Sequence, residues 1–189
     1  MRHKYETRGI VLSRAPVGEV STFVTLLTPE LGLVRALAQG IRKPSAKLAP
    51  ALATFAESSV VLVRGRDGWR LSGAVLEESW FTRMQSAGEV PRAARVSALL
   101  LRLVTGEAHD TALFPIMQGF FRALSESPRD LCEAVEVLAG LRTLAALGLD
   151  SGEIPGDRAT FALPLLARVA EDRGQYITRI NRGITASGL

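Results

Sequence analysis

The segment QGIRKPSAKL, residues 39–48, sets Arg42, Lys43 and Lys47 among a Gly, a Pro and a Ser, with no acid. Widened to Leu31–Ala56, the stretch gains Arg35 and still holds no carboxylate. Fixed positive charge, together with backbone N–H groups exposed around Gly40 and Ser45, can hold phosphate oxygens without making or breaking a bond. Arg64, Arg66 and Arg70 gather around GRDG (65–68), and Arg8 and Arg14 flank an earlier apolar run. If about five of these cations neutralise phosphates, the salt exponent for a single strand is roughly −0.7 × 5, and a fourfold rise in salt weakens binding on the order of 100-fold. The same charges would also serve as solubilising groups on a loop and a hairpin, so the cluster alone fits either role.

Groups suited to covalent chemistry are sparse. His3 lies near the N-terminus and His109 in the polar run GEAHD, both positions that suit plain surface residues. Neither H-E-x-x-H, G-x-S-x-G nor a phosphate-loop pattern occurs. Glu77 and Glu78 close a strand-like run, where neighbours face opposite ways, which makes them a poor acid/base pair. Cys132 is the only cysteine, so the chain forms neither an internal disulfide nor a multi-cysteine zinc site. It falls in the first turn of an apolar helical pattern and suits a small core residue. The expectation is a binding protein, not an enzyme, with no multi-cysteine metal site.

The elements that must position the cations follow from periodicity. Residues 8–76 read as strands. RGIVLSR (8–14) is followed by a turn at APVG (15–18). In EVSTFVTLLT (19–28), Val20, Thr22, Val24 and Leu26 share one face and Ser21, Phe23, Thr25 and Leu27 the other. PELG (29–32) is a turn, and LVRALAQG (33–40) alternates again. SSVVLVRG (58–65) and WRLSGAVLE (69–77) are joined by GRDG, a hairpin signal. A short helix at 45–53 completes a pattern of five strands with a helix after the third, the order of an OB-fold barrel. An SH3-like barrel or a β-sandwich also fits. Ala36, Ala38, Gly73 and Ala74 suit a tight barrel interior, and Phe23 and Phe55 read as core.

After Glu77 the period becomes 3.6. Pro91 opens a helix striped with Val96, Leu99, Leu100, Leu103 and Val104, and Asp110 caps another carrying Leu113 to Leu124. Ser127-Pro128 starts a third, stopped by Gly148. Residues 163–172 and 175–184 supply the remaining helices, with DSGEIPGD (150–157) as a loop. The expected architecture is α+β, an OB barrel over 1–77 and a helical bundle over 78–189. Residues 1–76 hold eleven Lys/Arg against five Asp/Glu, and residues 77–189 twelve against fourteen. All the positive excess therefore lies in the first part, which suggests one module that meets an acidic partner. No run approaches the length of a membrane-spanning helix and no signal core opens the chain, so the expectation is a cytoplasmic protein that does not engage a membrane.

With these residues in order, TRGIVL (7–12), then GEVSTFVTLLTPELGLVRALAQGIRKPSAKL (18–48) and VLVRGRDGWRL (61–71), the chain resembles the bacterial recombination mediator family RecO. The likeness covers about residues 5–75 well and the helical part in pattern only, including the Leu-Gly at 147–148. It implies an N-terminal OB domain and a C-terminal helical domain. It also implies binding of single- and double-stranded DNA, annealing of complementary strands, work with RecR and with the tail of the single-stranded DNA-binding protein SSB, and indirect help to RecA. No cofactor is implied. Many members carry a four-cysteine zinc element after the Leu-Gly helix. This chain has the loop DSGEIPGDR there and no cysteine, and its shortness fits the same deletion. The DNA-binding candidates are Arg8, Arg14, Arg35, Arg42, Lys43, Lys47, Arg64, Arg66 and Arg70. An SSB tail, acidic with an apolar end, calls for an apolar pocket rimmed by arginine, with Arg95, Arg102, Arg122 and Arg142 as candidates. The alternatives are an RNA-binding OB protein and a protein-interaction adaptor that meets no nucleic acid.

Overall fold

The computed structural model describes residues 3–43, 46–104 and 111–188. His109, Asp110 and Ser45 lie outside the described residues. The chain divides into two compact units after Thr82.

The first unit is a closed five-stranded barrel. Its strands are β1 (Lys4–Val17), β2 (Ser21–Thr28), β3 (Gly32–Ala38), β4 (Ala56–Gly65) and β5 (Gly68–Ser79). They run in the order β1-β2-β3-β5-β4, and β4 pairs with β1 to close the ring. Only β3–β5 is parallel. This is the OB-type barrel expected from the strand pattern. Val11, Val24, Leu26, Val34, Ala36, Ala38, Val60, Leu62, Trp69 and Leu71 fill it. Alternation explains the choice. Thr22, Val24 and Leu26 all point inward, and each is buried. Small Ala36 and Ala38 let opposing large side chains close the interior.

The turns follow local chemistry. Thr28 Oγ1 donates to the Gly32 carbonyl at 3.0 Å and accepts the Leu31 N–H at 3.1 Å, which pins the β2–β3 turn. Gly65 pairs with Gly68 across the Arg66-Asp67 loop, and Gly68 takes φ +108, a conformation that glycine adopts without strain.

Several local expectations need correction. The run 15–17 continues β1, with Ala15, Pro16 and Val17 paired to Phe23, Thr22 and Ser21, so the turn comes after it. In the expected helix at 45–53, the described residues form turns and a single 3₁₀ turn, Pro50–Leu52. Pro50 forbids a longer helix by removing a donor, and Ser58 Oγ fastens this turn by donating to the Ala51 carbonyl at 2.7 Å. Gly73 stands opposite Val61 on the outer face and is not an interior residue.

A short helix, α1 (Trp80–Arg83), follows β5. The second unit contains α2 (Glu89–Leu103), α3 (Leu113–Glu126), α4 (Cys132–Ala146), α5 (Leu163–Glu171) and α6 (Arg173–Ala186). The 3₁₀ turn Arg129–Leu131 precedes α4, with Pro128 as its cap residue in place of the expected Ser127. α4 is buried on nearly every side and packs against α2, α3, α5 and α6. Phe120, Phe121, Leu138 and Leu141 have no exposed surface, each worth about 1.5–3 kcal/mol in burial. The Leu149 N–H donates to Leu144 O at 2.8 Å and the Gly148 N–H to Ala145 O at 3.0 Å. With Gly148 at φ +71, these form a Schellman stop where the sequence placed one.

The loop 150–162 is tied down at three points. Buried Arg142 of α4 donates from its two Nη atoms to the carbonyls of Pro155 and Arg158, each at 3.1 Å. Its guanidinium also lies 4.7 Å from the centre of the Phe161 ring. Arg179 of α6 makes a forked pair with Asp150 at 3.1 and 2.5 Å and donates to Glu153 O at 3.0 Å. Gly119 of α3 lets the backbone at Ala159 pass closely, because a Cβ there would collide with that carbonyl.

Candidate nucleic-acid interface

The pairing registers show which cations share a face. Directly paired residues on adjacent strands point to the same side. One outward row crosses the barrel as Ala15, Phe23, Leu37, Arg70, Val63 and Lys4. Leu37 and Arg70 are joined through the parallel β3–β5 pair. Beside it, Ser13, Thr25 and Arg35 form a second outward row. Neither row contains an acid. Arg35 is exposed, and its guanidinium carbon lies 4.3 Å from the centre of the Phe23 ring. Arg70 is exposed and lies 3.7 Å from Asp67, itself almost fully in solvent, so this pair neutralises little.

β3 ends at Ala38, and the turn-rich segment with Arg42, Lys43 and Lys47 follows, all three exposed. Arg42 is a strut as well as a charge. Its Nη1 donates to Gly18 O at 3.0 Å and its backbone N–H to Val20 O at 3.2 Å, which joins this segment to the β1–β2 turn.

The remaining cations stand apart from these rows. Arg8 faces outward opposite Ser59 and lies 3.7 Å from buried Glu57, whose Oε2 also accepts the Trp80 indole N–H at 3.1 Å. Arg14 stands opposite Val24 and Arg64 opposite Trp69, both registers of the core side, although both arginines are exposed. Arg64 lies 4.9 Å from the centre of the Trp69 ring, against whose edge Tyr5 packs at 5.2 Å. Arg66 is exposed in the hairpin loop. Phe23 corrects the sequence reading, since it is half-buried on the outward row; Phe55 is core.

In the helical unit, Arg92 and Arg95 of α2 edge an apolar groove of about 410 Å³ lined by Val96, Leu99, Ile177, Ile180 and Ile184. Glu136 of α4 accepts from both arginines, with Arg95 Nε at 2.6 Å and Nη2 at 2.9 Å. Burial works to raise the Glu136 carboxyl, but the hydrogen bonds from Arg95 and Arg92 outweigh it and hold the group below its ordinary value. The same hydrogen bond pushes Arg95 up. Arg102 and Arg122 are exposed on α2 and α3 but do not line the groove. Arg142 is the clear departure from a rim role. It is only 2% exposed, and burial pushes its pKa down to about 10. Arg92 escaped the sequence reading, although its i, i+3 spacing from Arg95 sets both on one helix face.

Cys132 is buried, and burial raises its thiol, followed by the charge of Glu89. Among the described residues, no three His, Cys, Asp or Glu cluster as a metal site would require, and no helix is long and apolar enough to cross a membrane.

Residues 1–80 match the family described as recombination protein O N terminal. The chain is similar to the DNA repair protein RecO of Acaryochloris marina, 36% identical over 149 residues, which is 79% of this chain and 51% of that protein. It is 30% identical to the RecO of Synechocystis over 124 residues, 66% of this chain and 46% of that protein. With the RecO of Dehalococcoides mccartyi the identity is 28% over 131 residues, 69% and 52% of the two chains. The chain spans about half the length of the curated relatives it matches.

Proposed function

The chain is of the RecO type, with residues 1–80 as its recombination protein O N-terminal domain, and from that premise we propose that it serves DNA repair and recombination as a mediator that holds DNA without transforming it. In this reading the barrel domain, 1–77, grips the backbones of single- and double-stranded DNA, and the helical domain, 78–189, receives protein partners. It acts in the cytoplasm at the nucleoid, with no catalytic step and no cofactor. The observation that carries the reading is the pair of acid-free outward rows across β2, β3 and the start of β5, which display Arg35 and Arg70, with the Arg42–Lys43–Lys47 segment following β3 in the chain.

The mechanism follows from charge. Two DNA strands repel each other through their phosphates. A surface that neutralises part of both lowers that repulsion and raises their local concentration, so complementary strands anneal faster. The apolar groove edged by Arg92 and Arg95 supports docking of the SSB tail, with carboxylates on the arginines and the apolar end against the three isoleucines. The incoming acid competes there with Glu136. Tethered in this way to SSB-coated DNA, the protein works with RecR and hands the strand to RecA.

The test combines Arg35→Glu, Lys43→Glu and Lys47→Glu. Single-strand affinity is measured across salt, and annealing of SSB-coated complementary strands alongside. The expected result is weaker binding, a salt exponent shallower by roughly 0.7 per lost phosphate contact, and a parallel loss of annealing. Unchanged affinity and annealing overturn the reading in favour of a protein adaptor. Preference for RNA in a competition assay shifts it to an RNA-binding protein.

A further inference from the structure

On the reading that the barrel holds nucleic acid, we propose that Phe23 is a base-stacking position for single-stranded DNA, capped in the free protein by Arg35. Phe23 is an unusual residue to find facing outward. Its row carries apolar side chains at Ala15, Leu37 and Val63, interleaved with cations at Arg70 and Lys4. Arg35, one step along β3, covers the ring with its guanidinium at 4.3 Å.

An apolar strip framed by positive charge matches the two surfaces of a single strand, whose bases are flat and apolar and whose backbone is anionic. An acidic peptide would match the charge but offers no ring for Phe23. In a duplex the bases are already stacked, so only the backbone can engage.

The cap and the site form an exchange. At an exposed position, a cation over a phenyl ring gains little. A phosphate gives Arg35 a stronger, charge-assisted partner. Once Arg35 turns to that phosphate, the Phe23 ring is uncovered, and a base stacked on it gains more than the guanidinium did. The strand therefore satisfies both halves of a pair that, in its absence, satisfy each other. The same pairing shields an aromatic ring that would otherwise face water.

The experiment compares a thymine oligonucleotide, an abasic strand of equal length and a duplex, each titrated against the full chain and against Phe23→Leu, Phe23→Trp and Lys43→Glu with Lys47→Glu. Phe23→Leu is expected to weaken the base-bearing strand about tenfold and to leave the abasic strand, the duplex and the salt exponent unchanged. Phe23→Trp restores the affinity, and its added fluorescence is quenched by the thymine strand but not by the abasic one. The lysine reversals weaken all three ligands. If Phe23→Leu binds the thymine strand as the parent does while the lysine reversals lose affinity, the stacking site is refuted and the barrel's DNA role stands. If the lysine reversals change nothing, the underlying reading falls instead. The fluorescence arm decides the matter if Phe23→Leu does not fold, and tighter binding of the matching ribose strand overturns the assignment to DNA.

Discussion

Replacing Arg142 by Met should loosen the helical unit through one loop. The side chain donates to the Pro155 and Arg158 carbonyls at 3.1 Å each, and hydrogen bonds from a charged donor contribute about 1.5–3 kcal/mol apiece. Its contact with the Phe161 ring adds about 1 kcal/mol. Against this stands the cost of burying the charge. A pKa pushed down to about 10 corresponds to roughly 3 kcal/mol of lost solvation, and Nε has no partner among the described residues. Met fills the volume of the stem and leaves both carbonyls near solvent. The net expectation is a loss of about 2 kcal/mol, or about 4–8 °C in the melting of a chain this size. Thermolysin should also nick faster between Leu149 and Leu163. Arg142→Lys should be worse than Met. Lysine keeps the buried charge, but a point donor cannot fork to two carbonyls. Thermal melting and timed proteolysis of the three proteins read this order directly. A lysine variant as stable as the parent would show that charge alone suffices, and a methionine variant as stable as the parent would show that the clamp contributes nothing.

Two further outcomes are expected. Glu136→Gln should lower the melting temperature at pH 7 and flatten its acid dependence. The folded Glu136 carboxyl sits below its ordinary value of 4.5, so the stability it contributes is present above that ordinary value and is lost as pH falls below it through the folded one. An unchanged acid profile in the variant would refute this. Gly119→Ala puts a Cβ against the Ala159 carbonyl and 3.2 Å from the Phe161 ring. It should cost about 1–3 kcal/mol by overpacking and accelerate cleavage of the 150–162 loop, and a fully stable, uncleaved variant would mean that the loop does not press on α3.

The barrel was legible because alternation, turn residues and strand number are local signals that agree with one another. Val24 and Leu26 declared the inner face, GRDG the hairpin, and the Leu-Gly at 147–148 the helix stop. What escaped the sequence depends on distant partners. Phe23 lies on the face opposite Val24, but Leu27 on that same face is fully buried, so alternation could not tell an outward ring from a core one. Its meaning came from Arg35, brought alongside by the β2–β3 pairing. Arg142 was expected at the rim of a pocket for an acidic tail, a position that presumes the exposure usual for arginine. The signal that could have corrected this was present. Residues 134–144 are apolar nearly all round the helix, which marks a buried element, and a cation within it needs internal partners. No local pattern foretold that backbone carbonyls from a loop 13 and 16 residues onward would supply them. The cations divided in a similar way. Their number was plain, but which of them share a face depends on strand register.

The clamp on the 150–162 loop reads chain path, not side-chain identity. Arg142 binds main-chain oxygens, and so does one arm of Arg179. Substitutions along the loop leave those oxygens in place, whereas inserting or deleting a residue shifts them out of reach. Evolution is thus free to repaint this surface patch while its length is held to a narrow tolerance, and loop-grafting experiments should respect the same asymmetry.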